Sequence, residues 1–240
     1  KFIGKDAHEL AGCSKKGIKI SNDLINAAKH SEAFIDFSSI ESTLHASEIS
    51  AQARIVHVIG TTGFSIEQEE IIKAAARHAT VIKSGNMSLG INILLGVVQN
   101  ITKLVDDNWA IEISEIHHKE KKDHPSGTAL ALGASVAKGK KIDLEENKVI
   151  DDPIIDAVDI NLTKIRKNVV RKKDDIGFSS YRKDGVIGDH SVIFSSENER
   201  IALTHIAKNR NIFANGALKA ALWGQNKKPG LYSMQDVLGF

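Results

Sequence analysis

Arg54-Ile55-Val56-His57-Val58-Ile59-Gly60-Thr61-Thr62-Gly63 is a run rich in β-branched residues that stops at two threonines held between glycines. That composition favours a strand over a helix, and the Gly-flanked turn ends it. Directly beyond, Ser65 and Gln68 stand at the spacing of a reciprocal helix cap. The same phrase recurs on either side. Ala33-Phe34-Ile35-Asp36-Phe37 is a compact apolar strand, followed by Ser38 and Glu41 at capping-box spacing. Ala79-Thr80-Val81-Ile82 ends at Ser84-Gly85-Asn86, before an apolar-periodic helix over 88–105. Strand, loop and helix three times over predict an α/β fold with a parallel sheet covered on both faces.

The second half is patterned differently. Ile111-Glu112-Ile113-Ser114-Glu115-Ile116 alternates with period two, which predicts a strand with one wet face. Residues 129–138, rich in Ala and Leu, predict a short helix. Residues 177–182, 186–194 and 200–207 read as consecutive strands, joined by turn residues at Lys183-Asp184-Gly185 and Ser196-Glu197-Asn198-Glu199. Strands grouped in this way predict a second, α+β domain built on an antiparallel or mixed sheet. The polar stretch 143–175 reads as loop with at most one strand, and 211–223 as a final helix.

Composition narrows the function. The 240 residues carry 32 Lys+Arg against 30 Asp+Glu, so a formal charge of +2 supplies no field for nucleic acid or an anionic membrane. An aromatic share of 5% argues against stacking platforms for single strands. Apolar content of 42% is ample for a core, and no apolar run reaches the ~20 residues of a membrane span. The lone Cys13 excludes an internal disulfide and fits a reducing, cytoplasmic setting; no base accompanies it, so it is no nucleophile candidate.

Chemistry concentrates in His117-His118-Lys119-Glu120-Lys121-Lys122-Asp123-His124-Pro125-Ser126-Gly127-Thr128-Ala129, a loop between a strand and a helix. Two imidazoles and an amine lie within five residues, and Pro-Ser-Gly-Thr opens a helix whose free N–H groups can hold an anion. These residue types suit a carboxylated substrate that must also be protonated. They also suit a solvated loop, or a metal site at His117, Asp123 and His124. Against the metal stand the neighbouring lysines and a spacing unlike common zinc patterns. Gly60-Thr61-Thr62-Gly63 and Ser84-Gly85-Asn86-Met87 follow successive strands, where α/β sheets bind nucleotides, though any short connection uses such residues. His8, His30, His45, His57 and His78 are scattered and read as packing or surface; His190 and His205 fall on strands and are candidates to face a substrate. The basic run 167–173 reads as a solvated loop.

The stretch from Glu115 to Ala129 resembles the signature E-x-H-H-x-x-K-x-D-x-P-S-G-T-A of the 4-hydroxy-tetrahydrodipicolinate (dihydrodipicolinate) reductase family. Gly60-Thr61-Thr62-Gly63-Phe64 and Gly85-Asn86-Met87-Ser88-Leu89-Gly90-Ile91-Asn92 resemble its nicotinamide-side loops. Ile187-Gly188-Asp189-His190, Phe213-Ala214-Asn215-Gly216-Ala217 and Gly230-Leu231-Tyr232-Ser233-Met234-Gln235-Asp236-Val237-Leu238 resemble later blocks. The resemblance implies a Rossmann-like cofactor domain over 1–88 and 211–240, and an α+β substrate and tetramerisation domain over 89–210. It implies reduction of (2S,4S)-4-hydroxy-2,3,4,5-tetrahydrodipicolinate by NADPH or NADH to (S)-2,3,4,5-tetrahydrodipicolinate and water, in the diaminopimelate route to lysine. His117 would then be proton donor/acceptor and Lys121 proton donor, with His118, Gly127 and Thr128 on the substrate. Gly60, Thr61, Thr62, Ser84, Gly85, Asn86 and Met87 would contact the cofactor, with no metal and a homotetrameric, cytoplasmic enzyme.

Two departures accompany the likeness. Position 124 is His where the family usually has Ala. The family's opening strand, G-x-x-G-x-x-G loop and helix, with the second strand that reads NADH from NADPH, have no counterpart after Lys1-Phe2-Ile3-Gly4, which begins without Met. A processed or truncated product with weak cofactor binding is the expectation. Rival readings are a non-catalytic remnant that binds dicarboxylate and oligomerises, and a different nicotinamide oxidoreductase on the same scaffold.

Overall fold

The computed structural model describes residues 1–155, 160–165 and 171–240. The chain divides into two compact units, Lys1–Ser84 with Leu218–Ser233, and Gly85–Ala217 with Met234–Phe240. Among the described residues no helix is long and apolar enough to cross a membrane.

The first unit opens with two short helices, α1 (Ala7–Leu10) and α2 (Leu24–Lys29). Then come β1 (Ala33–Asp36), α3 (Ile40–Ala53), β2 (Val56–Ile59), α4 (Ile66–Ala75) and β3 (Thr80–Lys83). These strands pair in parallel, as the repeated strand–loop–helix pattern predicts. The connecting helices cover them, and β2 is buried along its whole length. Ile59, Ile72, Ala76, Ala79 and Val81 form the core. The Ser65/Gln68 capping box is present in full. The other expected cap is displaced by one residue: Ser39 caps α3 by accepting from the Ser42 N–H, while the Ser38 hydroxyl donates to Asp36 Oδ1 at 2.5 Å. Arg54 turns left-handed (φ 56°) to end α3, which delays β2 to Val56. The expectation of a sheet covered on both faces holds for β2 but not for β1, where Ile35 is 42% exposed.

The second unit contains α5 (Leu89–Thr102), β4 (Ala110–His117), α6 (Gly127–Lys140), α7 (Leu144–Asn147), β5 (Lys148–Ile150), β6 (Ile154–Ile155), β7 (Ile176–Arg182), β8 (Asp189–Ser195) and β9 (Arg200–Ile206). Next, α8 (Asn211–Gly224) gives its first half to this unit and its second half to the first unit. The short β10 (Gly230–Tyr232) completes the parallel sheet beside β3, and α9 (Met234–Leu238) ends the chain. Residues 156–159 and 166–170 lie outside the described set, so only part of the basic run 167–173 can be placed. The described part of 143–175, expected as loop with at most one strand, instead holds α7, β5 and β6.

The sheet of this unit is mixed, with the order β5-β7-β4-β8-β9 and β6 beside β7. β8 and β9 form the expected hairpin. β7 and β8, although consecutive, are not neighbours: β4 lies between them, parallel to β7 and antiparallel to β8. Nor does β4 have the expected wet face: every residue from Ile111 to His117 is buried. Ile111 and Ile113 join Phe178, Val192, Phe194, Leu132 and Val136 in the core under α5 and α6. On the other face Glu112 is held by the guanidinium of Arg171 at 3.0 Å and the hydroxyl of Ser179 at 2.7 Å, and Arg171 also reaches Asp151. Arg171 is thus largely buried, not part of a solvated basic run, because a carboxylate inside a sheet must have a partner.

Candidate functional site

β4 ends at His117 and α6 begins ten residues later, so the intervening loop folds back over the strand's carboxyl end. Three anchors hold it. Ser126 caps α6, its hydroxyl accepting from the Ala129 N–H at 3.1 Å. The Ser126 N–H donates to Glu115 Oε1 at 3.0 Å, tying the helix start to the strand. Arg182, which faces His117 across the β4–β7 ladder, donates from Nε to the Lys121 carbonyl at 3.1 Å and from Nη2 to the Asp123 carbonyl at 2.7 Å. The Lys121 ammonium pairs with both Asp123 oxygens at 2.8 Å and is 21% exposed.

Beneath the loop lies a buried cluster. Glu115 Oε1 accepts from Ser126 and from the Ser180 hydroxyl at 2.8 Å, with Arg182 Nη1 3.7 Å away. Its Oε2 lies 3.5 Å from His117 Nδ1 and 3.7 Å from His190 Nε2. The two imidazoles meet edge-to-face with centroids 5.0 Å apart, and His190 Nε2 is also 3.2 Å from the Ser126 hydroxyl. Burial, joined by the charges of Lys121 and Arg182, pushes His117 down to about 4. Burial beside His117 takes His190 to about 3. Both rings are neutral at pH 7, so the cluster offers one carboxylate and two imidazoles ready to accept or relay a proton, beneath a lysine at the surface.

The other expected substrate residues fall at the same place. Half-exposed His118 follows His117, and Gly127 is open, with no atom within 4 Å of where a Cβ would sit. The Thr128 hydroxyl accepts from Asn86 Nδ2 at 3.0 Å, which brings one expected cofactor residue against one expected substrate residue inside the second unit. Met87 is 1% exposed. Its carbonyl would lie 1.7 Å from a Cβ on Gly216, so α8 seats on this loop only through a glycine.

In the first unit Gly60, Thr61 and Thr62 leave the end of β2, and Ser84 leaves the end of the adjacent β3, its N–H donating to the Ile59 carbonyl. The Thr61 hydroxyl accepts from Thr43 at 2.9 Å, fixing the loop to α3, while Thr62 and Gly63 are exposed. Small residues at the carboxyl ends of neighbouring parallel strands suit a nucleotide laid against the main chain. A Cβ on Gly60 would collide with the Phe37 ring at 2.3 Å, so that glycine serves the turn's own packing.

Sequence reasoning assigned no role to Glu115, Ser180, Arg182 or Gly188. The signal available was charge within a strand, since Glu115 and Arg182 are both 1% exposed. Nor is His57 unaccompanied: buried between β1 and α3, it lies 3.3 Å from Ser47 Oγ and 3.4 Å from Asp36 Oδ2. Of the metal alternatives, Asp123 and His124 are exposed. One ligand atom each from Glu115, His117 and His190 lie within 4.8 Å of one another, but Arg182 and Lys121 fill the same neighbourhood with positive charge, which opposes a cation.

A parallel α/β sheet with small-residue loops at its strand ends, carried with an α+β unit that buries an acid–base cluster, suits a two-domain, nicotinamide-dependent oxidoreductase. The chain belongs to the dihydrodipicolinate reductase family: the profile of its N-terminal part matches residues 1–87 and that of its C-terminal part residues 90–238. The 4-hydroxy-tetrahydrodipicolinate reductase of Parvibaculum lavamentivorans is 50% identical over 240 residues, covering 99% of this chain and 84% of that protein. The enzyme of the same name from Rhizobium rhizogenes is 49% identical, over 99% of this chain and 83% of its own length. Among solved structures, dipicolinate-bound dihydrodipicolinate reductase from Paenisporosarcina sp. TG-14 superposes with a TM-score of 0.71 at 20% identity, over 96% of this chain and 84% of that one. An amine dehydrogenase from Mycobacterium smegmatis shares the fold at a TM-score of 0.62 and 10% identity, over 98% of this chain and 85% of that one.

Proposed function

We propose that this chain reduces 4-hydroxy-tetrahydrodipicolinate to tetrahydrodipicolinate and water in diaminopimelate and lysine biosynthesis, using NADH or NADPH. The observation that carries the reading is the buried Glu115–His117–His190 cluster set beside the capped start of α6 and beneath Lys121. Relatives at half identity bear the reductase's name, and a structural neighbour is described with the diacid dipicolinate bound. The reduced nicotinamide supplies the hydride when bound; Gly60, Thr61, Thr62, Ser84, Gly85, Asn86 and Met87 would hold it.

The chain's own part is to bind a diacid and manage its protons. A carboxylate accepts from the free N–H groups at Gly127 and Thr128, where the helix end favours negative charge, and His118 adds a further contact. Loss of the 4-hydroxyl with a neighbouring ring proton, as water, leaves a conjugated imine. Hydride addition to it puts negative charge on the substrate, and the Lys121 ammonium donates the proton that quenches it. His117, neutral at the working pH, takes up and returns a proton. A homotetramer and a cytoplasmic setting belong to the same reading. Support for assembly comes from the edge strand β9, where Ile201 and Ile206 remain 38% and 58% exposed.

The test is a coupled assay in which substrate is generated enzymatically and loss of reduced nicotinamide absorbance is followed. Lys121→Ala is expected to lower kcat by ~10²-fold, the contribution of a positioned acid. No absorbance loss with the unaltered protein would overturn the function, and full turnover in the variant would remove Lys121 from the chemistry.

A further inference from the structure

Glu115 has no part in the proton transfers just assigned, yet it stands at their centre. Both hydrogen bonds it accepts, from the Ser126 N–H and the Ser180 hydroxyl, fall on Oε1. Oε2 is thereby turned toward the imidazoles, and among the described residues it has no hydrogen-bond donor. His117 Nδ1, 3.5 Å away and equally buried, has no partner either. His190, at 3.7 Å, already has the Ser126 hydroxyl at 3.2 Å. A buried carboxylate oxygen facing a buried imidazole nitrogen is satisfied when that nitrogen carries the proton; the opposite tautomer sets a lone pair against the anion. Such contacts are commonly long before ligand binds and tighten in the complex. At the other side of the ring, the place a Cβ would take on Gly188 is 2.9 Å from His117 Nε2, so the glycine leaves room at that nitrogen.

We propose that Glu115 is a positioning residue that holds His117 with its proton on Nδ1, leaving the Nε2 lone pair free to exchange a proton with substrate. This rests on the reading of His117 as the proton carrier. The arrangement follows the general rule that the partner of one ring nitrogen decides what the other can do.

Glu115→Gln is the sharpest variant. Its amide oxygen still accepts from Ser126 and Ser180, while its NH₂ donates toward Nδ1 and drives the proton to Nε2. With ¹⁵N-labelled histidine in the full chain, the His117 signals (assigned by their loss in His117→Ala) should report an Nδ1-protonated ring in the wild type and an Nε2-protonated ring in Glu115→Gln. Turnover should fall by ~10²-fold with KM within about threefold, and Glu115→Asp should recover part of it. In the His117→Ala background the Glu115 substitution should cost little more. An unchanged tautomer, or a full second loss on top of His117→Ala, would overturn the inference. Wild-type turnover in His117→Ala would instead sink the reading of His117, and the tautomer signal then decides Glu115 alone. Should Glu115→Gln fail to fold, Ser180→Ala loosens the Oε1 anchor with the charge kept; a mixed tautomer supports the inference and an unaltered one overturns it.

Discussion

Gly188 has no side chain to offer the site, and that is its use. A methyl group there would sit 2.9 Å from His117 Nε2 and 3.5 Å from the His190 ring, closer to the first than side-chain carbons ordinarily come. Gly188→Ala therefore moves the imidazole while leaving every charge in place. The expected result is a drop in kcat of about tenfold or more with the melting temperature within a few degrees of wild type, since misplacing a reacting group costs far more in rate than in stability. Equal turnover in that variant, measured by the same nicotinamide assay, would show that the ring has room to spare.

At the scale of elements, the start of α6 carries both structure and chemistry. Ser126 caps the helix, faces His190 with its hydroxyl and binds Glu115 with its N–H. Ser126→Ala keeps the last of these and removes the first two. Loss of the cap is worth about 1 kcal/mol, or roughly 2–4 °C in a chain of this size, readable by calorimetry; a variant melting at the wild-type temperature would mean the cap is replaced from elsewhere. Three strands of the parallel sheet were legible, β2 and β3 by their β-branched residues and β1 as a compact apolar run, and one of its helices by a complete Ser65/Gln68 box. By contrast β10, Gly230-Leu231-Tyr232, carries no such signal. The loop from His117 to Thr128 was legible by residue type and order. What stayed hidden was lateral. No local pattern says that β4 sits between β7 and β8, and without that register Glu115, Ser180, Arg182 and His190 are four unconnected residues. The alternation of Ile111 to Ile116 misled because Glu112 faces Arg171 and Ser179, both distant in sequence, where water was expected.

The whole molecule should be sensitive to acid, and the sign follows from which groups the fold keeps uncharged or charged. His117 and His190, depressed by burial to about 4 and about 3, bind fewer protons than their unfolded counterparts, so stability falls as pH drops below about 6.5 and continues to fall toward 4 and 3. Asp36 adds to this lower down. Burial alone would raise it, but hydrogen bonds with His57, Ser38 and Thr43 outweigh that and set it at about 2; its contribution is present above the ordinary 3.8 and is lost as pH falls through 2. Urea midpoints measured from pH 8 to pH 4 should thus decline on the acid side. His190→Asn, which has no ring to charge, should flatten part of the decline; an unchanged slope would mean that His190 is not its source.

The place of β4 also bears on how the polypeptide comes off the ribosome. Both of its neighbours lie downstream, the nearer beginning at Ile176, so a nascent chain that has just emerged through His117 has no β-partner for that strand. The hairpin of β8 and β9 can close locally once made, whereas β4 must wait with Ile111 and Ile113 uncovered by the rest of the sheet. During that interval the segment is a natural target for a chaperone that recognises extended apolar chain, and the acid–base cluster it carries comes together among the last features of the enzyme.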